Sequence, residues 1–161
     1  PVTVDLYAAV RRVLDAERLG YDAAGGARAI RVPFVGTNGR WLTFARFDGT
    51  DPMILRFFAV APLEAPEASR LAVMELVVRI NHGLPIAALE LDVTLGEIRM
   101  RTSLDGEPLE GATEAIIDAS VRAAFWACVS AMDVYLPAIL RVVTLGEMPA
   151  DALAKTEKSR S

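Results

Sequence analysis

Apolar residues recur at helical spacing over residues 3–19, where Leu6, Val10, Val13 and Leu14 share one face. Thr3 can cap this helix, Arg11 and Asp15 can pair one turn apart on its outside, and Gly20 can end it. After Gly25-Gly26 the period changes from helical to two. Three runs rich in branched and aromatic residues, about 28–36, 40–47 and 53–60, are separated by Asn38-Gly39 and Asp48-Gly49 and predict a three-stranded antiparallel meander. A two-residue turn at Asn38-Gly39 sets Trp41 opposite Gly36, Thr43 opposite Phe34 and Ala45 opposite Val32. The other face then pairs Leu42 with Val35, Phe44 with Pro33 and Arg46 with Arg31. Two facing arginines repel, so this second face is read as the outer one, with Leu42 and Phe44 partly exposed.

Pro66 followed by Glu67 opens a second helix that runs to about Asn81, and Gly83 supplies its stop. Leu71, Val73, Met74, Leu76, Val77, Val78 and Ile80 occupy more than half of its circumference, leaving Glu75, Arg79 and His82 as a polar strip. One sheet cannot cover so wide an arc. Ile86–Leu104 reads as a hairpin closed at Leu95-Gly96, with Asp92 facing Arg99 and Glu90 facing Arg101. Leu89, Leu91, Val93, Ile98, Met100 and Thr102 line its other side. From Thr113 to about Leu136, Ile117, Val121, Phe125, Cys128, Met132 and Tyr135 form a third helical stripe, which Pro137 is expected to kink or restart. A short apolar continuation over Ala138–Leu145 ends at Gly146. The expected layout is one α+β domain over residues 1–146, ordered helix, three strands, helix, two strands, helix, with a mobile polar tail over 147–161.

Composition narrows the function classes. A chain of 161 residues can bury a core without disulfides or metal, and its one cysteine, Cys128, builds neither a disulfide nor a thiolate ligand set. Cys128 lies on an apolar stripe, where an inert buried thiol is expected. The opening Pro1-Val2-Thr3-Val4-Asp5 shows no basic leader or apolar signal core, and charges interrupt the apolar stretches, which points to a cytoplasmic protein that does not span a membrane. The net charge of −4 and the dispersed arginines disfavour direct nucleic-acid binding. His82 is the only histidine and has no second ligand or nucleophile beside it in the sequence, so no catalytic, metal or cofactor site is read here. Hydrophobic residues make up 53% of the chain, slightly more than one interior needs, and an interface is the natural use of the surplus.

Residues 72–104 carry a set of local motifs: Arg79-Ile80-Asn81, Leu84-Pro85-Ile86, Leu89-Glu90-Leu91-Asp92, Gly96-Glu97-Ile98-Arg99 and Arg101-Thr102-Ser103-Leu104. With Met132-Asp133-Val134-Tyr135-Leu136-Pro137, and more loosely Trp41-Leu42-Thr43-Phe44, they resemble the YbjN family over about residues 40–146. The family commonly has a glycine before the second hairpin, where this chain has Ala87-Ala88. The resemblance implies a sensory-transduction regulator with a fold like the class I chaperones of type III secretion. It also implies a non-enzymatic, acidic homodimer that presents apolar surface to a partner protein.

On this reading the second helix would join two copies through Val73, Leu76, Val77 and Ile80, and the partner protein would meet Leu42, Phe44, Arg56 and Phe58. Strand or helix addition is the expected binding mode. The alternative is a small-molecule sensor with a pocket between the sheet and the last helix, lined by Trp41, Phe47 and Phe125.

Overall fold

The computed structural model describes residues 4–23, 29–49 and 53–159. Helix α1 (Leu6–Ala16) precedes strands β1 (Ala29–Val35), β2 (Arg40–Asp48) and β3 (Ile54–Glu64). Helix α2 (Arg70–Gly83), strands β4 (Ala88–Leu91) and β5 (Glu97–Asp105), and helices α3 (Glu114–Leu145) and α4 (Pro149–Lys158) follow. The strands form one antiparallel sheet ordered β1-β2-β3-β5-β4, so the second hairpin docks on the first through β5. The expected α+β element order is present, with one helix added.

The expected Thr3 cap and the Gly25-Gly26 break lie outside the described residues. Asp5 caps α1, its Oδ1 accepting the Ala8 amide at 2.9 Å. The helix ends before Gly20, where Arg18 takes a left-handed φ of 57° and Leu19 N–H donates to the Leu14 carbonyl. Arg11 turns to the Tyr21 hydroxyl at 3.4 Å.

Both hairpins pair two residues away from the expected register. In the first, Phe34 faces Trp41, Val32 faces Thr43, Pro33 faces Leu42 and Arg31 faces Phe44, because Thr37-Asn38 forms the turn and Gly36 N–H donates to the Gly39 carbonyl. Gly36 is needed at this turn because a Cβ there would run into the Asp133 carboxylate and the Trp41 ring, whereas one on Gly39 would meet only the end of the Leu136 side chain. In the second, Glu90 faces Arg99 and Leu91 faces Ile98, because Asp92 opens a longer turn. Its Oδ1 accepts the amides of Leu95 and Thr94, which holds this carboxyl below the usual carboxylate range. A slip of two residues leaves every side chain on its expected face. Trp41, Thr43, Ala45 and Phe47 point inward and Leu42 and Phe44 outward, as read.

Helix α3 lies on the inner face. Phe125 meets the rings of Phe57 and Phe34 with centroids 5.5 and 6.0 Å apart, and the Thr102 hydroxyl donates to the Ala124 carbonyl at 2.8 Å. Helix α1 sits beside it, joined by Arg12 to Asp118 at 2.6 Å and Arg122 to Glu17 at 2.7 Å. By length and apolarity α3 could cross a bilayer, but its apolar stripe from Ile117 to Val142 is buried in the core of this chain.

Pro137 does not restart α3, which runs unbroken to Leu145 and ends on left-handed Gly146. A proline in a helix removes the N–H that would reach back four residues, here to the carbonyl of Asp133. The Asn38 side-chain amide takes that place, donating to Asp133 O at 2.9 Å, while the Asp133 carboxylate accepts the Thr37 and Asn38 backbone amides at 3.0 and 2.8 Å. The β1–β2 turn and the proline step of α3 therefore repair each other.

Residues 149–158, expected to lie in a mobile tail, form α4, which packs on α3 and α2 with Pro149, Ala152 and Thr156 buried. This helix supplies part of the cover that the wide apolar arc of α2 requires.

Candidate functional site on the open face of the sheet

The helices pack on the inner face of the sheet, so strand alternation leaves the outer face open. Its side chains form cross-strand rows. One row reads Pro33, Leu42, Val60, Arg99 and Glu90 from β1 to β4, and the next reads Arg31, Phe44, Phe58, Arg101 and Ala88. Below them Arg46 faces Arg56, with Ser103 beyond. An apolar centre of Pro33, Leu42, Phe44 and Val60 is thus rimmed by arginines.

Phe58 belongs to this centre but is only 3% exposed, because the Arg99 and Arg56 guanidiniums lie 4.2 and 5.2 Å from its ring centroid. Arg56 is held by Asp48 at 2.7 Å. Glu90 holds two cations, Arg101 at 2.6 Å and Arg99 at 2.9 Å. Burial alone would push the Glu90 carboxyl up, but hydrogen bonds from Arg101 and Arg99 outweigh it and bring the carboxyl below its ordinary value. Glu90 therefore stabilises the fold above the ordinary carboxylate pKa, and this contribution is lost as pH falls through the lowered folded value. Glu90→Gln should cost about 1 kcal/mol at neutral pH. Urea unfolding of wild type and variant should converge on acidification, and a constant difference would contradict the assignment.

The sheet edges are closed to further strands at several points. On β4, Asn81 receives the Leu89 amide at 2.7 Å and donates to the Leu89 carbonyl at 2.9 Å. On β1, Asp22 exchanges two backbone bonds of 2.8 Å with Arg31, and Pro33 has no N–H to offer.

Leu42, Phe44, Arg56 and Phe58, expected to meet a partner, do come together here, with Phe58 as a covered floor beneath Arg99. Sequence reasoning placed Arg46 on this face but missed Val60 and Arg40, and neither Arg40 nor Arg46 has a carboxylate partner among the described residues. Their even-numbered places on β2 share the face of Leu42, and that alternation was the available signal.

The other expected sites are corrected. Val73, Leu76 and Ile80 are buried in the core of their own chain and so cannot meet a second copy, while Val77 is half-buried against that core. The apolar residues that α2 leaves exposed are Leu71, Met74 and Val78, at 79, 43 and 70%. Trp41, Phe47 and Phe125 are buried, with Phe34 packed beside Trp41 and Phe125 and Tyr7 on Phe47, and the cavity between β1 and α3 is lined instead by Phe34, Val35, Trp126, Val129 and Asp133. Burial pushes the Cys128 thiol up to about 12, and the sulfur lies 3.3 Å from the Met100 carbonyl oxygen, which makes it an inert core group. His82 is exposed in the last turn of α2. Among the described residues, no three His, Cys, Asp or Glu side chains gather into a metal-binding group.

Comparison with known proteins agrees with this architecture. The crystal structure of YbjN from E. coli, titled a "putative transcription regulator", superposes with a TM-score of 0.56 at 17% identity, covering 83% of this chain and 92% of that one. At that identity the likeness shows the fold alone. No curated protein matches the sequence. The family model for YbjN, described as "Putative bacterial sensory transduction regulator", matches residues 7–139, and the chain belongs to the YbjN family.

Proposed function

We propose that this chain is a non-enzymatic regulatory domain that acts by binding another protein on the open face of its sheet, as a homodimer joined through Leu71, Met74 and Val78 of α2. The observation that carries the reading is the apolar centre of Pro33, Leu42, Phe44 and Val60, left uncovered by the chain's own helices and rimmed by arginine. An apolar patch with a charged rim is the usual form of a protein-binding surface, and Arg and Phe are enriched in such interfaces. The resemblance to class I secretion chaperones, which likewise bind proteins without chemistry, supports the same reading. A ligand pocket is the weaker alternative, because the rings that would line it are packed on one another.

The experiment is affinity capture from cells producing the tagged chain as wild type, as Phe44→Asp, and as Leu95→Asp in the β4–β5 turn. A protein held by wild type and Leu95→Asp but lost with Phe44→Asp is the expected result. A captured set indifferent to Phe44→Asp would overturn the open face as the binding site.

A further inference from the structure

We infer that the occupant of the open face is an acidic amphipathic helix of the partner protein; the inference rests on the protein-binding reading above. The geometry excludes strand addition where the edges are closed: Asn81 occupies the Leu89 backbone groups, Asp22 occupies those of Arg31, and Pro33 offers no donor. A partner that covers the apolar centre therefore lies across the face rather than along those edge positions. The apolar row of Pro33, Leu42 and Val60 spans three adjacent strands, a width of about 10 Å, which matches the diameter of one helix. Such a helix would give the sheet on this side the cover it already has on the other.

The charge on this face selects an acidic occupant. The whole chain carries a net −4, yet on this face two exposed arginines of β2, Arg40 and Arg46, lie at either end of the apolar centre of Leu42 and Phe44. Arg99 is held by Glu90 and Glu97, Arg101 by Glu90 and Arg31 by Asp22, but Arg46 stands directly opposite Arg56, whose carboxylate partner is Asp48. Arg40 and Arg46 have no carboxylate among the described residues. Glutamates flanking an apolar helical stripe would supply the missing charges while the stripe covers Leu42, Phe44 and Val60. Nucleic acid fits less well, because Arg99 already occupies the face of Phe58 on which a base would stack, and Pro33, Leu42 and Val60 are aliphatic.

The test is a fluorescence-anisotropy titration of the full chain with three probes. The first is a side-chain-stapled helical peptide of about 18 residues, with leucine at i, i+3, i+4 and i+7 and glutamate on the flanks. The second is the same peptide with every glutamate replaced by lysine, and the third is a single-stranded oligouridine. The glutamate peptide should bind with an affinity that falls as salt is added. The lysine peptide should bind at least about tenfold more weakly, and Arg40→Glu combined with Arg46→Glu should weaken the glutamate peptide about tenfold. Both arginines are exposed and hold no ion pair among the described residues, so this variant keeps its circular dichroism spectrum. Failure of the glutamate peptide to bind, equal binding of the two peptides, or tighter binding of the oligouridine would overturn the inference. If capture still depends on Phe44 in any of those cases, the open face stands and only the chemistry of its occupant falls.

Discussion

Leu76→Glu is expected to unfold the domain rather than to split a dimer. Leu76 is fully buried, on the side of α2 that its own core encloses with α3, α4 and β4. A carboxylate there would lose its hydration with no described cation to receive it, at a cost of about 4 kcal/mol or more against a typical stability of about 5–15 kcal/mol. Val78→Glu changes a 70% exposed position on the same helix and should shift stability by only about 0.5 kcal/mol. Urea unfolding followed by circular dichroism compares the two variants, and light scattering then reads the association state of the folded one. A well-folded Leu76→Glu protein would contradict the placement of α2. A folded Val78→Glu monomer beside a wild-type dimer is the result expected from the proposed second-copy contact.

Asp133→Ala should be the next most damaging change, at about 2 kcal/mol, because it removes the acceptor of the Thr37 and Asn38 amides at the point where the β1–β2 turn docks on α3. Asn38→Ala should cost about 1 kcal/mol by leaving the Asp133 carbonyl, already deprived of a helical partner by Pro137, without a donor. Both changes break the same junction, so their combined cost should fall short of the sum. Equilibrium urea unfolding of the two single variants and the double variant reads this directly, and strict additivity would show that turn and helix are not coupled.

The junction also shows why Pro137 misleads a local reading. The rule that proline interrupts a helix holds for a helix on its own. Here the missing donor comes from Asn38, far away in sequence, and helical periodicity carries no trace of it. Helix α4 escaped for a different reason. Its buried positions Pro149, Ala152 and Thr156 include no large apolar side chain, so the segment looks like a solvated tail although it seals part of the core. Without α4, the breadth of the α2 arc pointed to a second copy of the chain through residues that the fold itself encloses.

The open face was legible in part. Period-two alternation placed Leu42 and Phe44 outward, and that placement survived a two-residue error in each hairpin because such an error preserves parity. What alternation could not reveal is the pairing of β3 with β5, which brings Arg99 over Phe58 and sets Arg101 beside it. In the sequence those arginines read as a ladder facing the acids of their own hairpin. In the fold Arg99 also roofs an aromatic side chain of the other hairpin, and the two arginines form one side of the basic rim.

The central claim is that another protein covers this face, and position-resolved photocrosslinking in producing cells tests it most directly. A benzophenone side chain replaces Leu42, Phe44 or, as a control on the β4–β5 turn, Leu95. The account predicts one shared protein adduct from positions 42 and 44, absent from 95. Adducts at 95 alone, or none at 42 and 44, would contradict it.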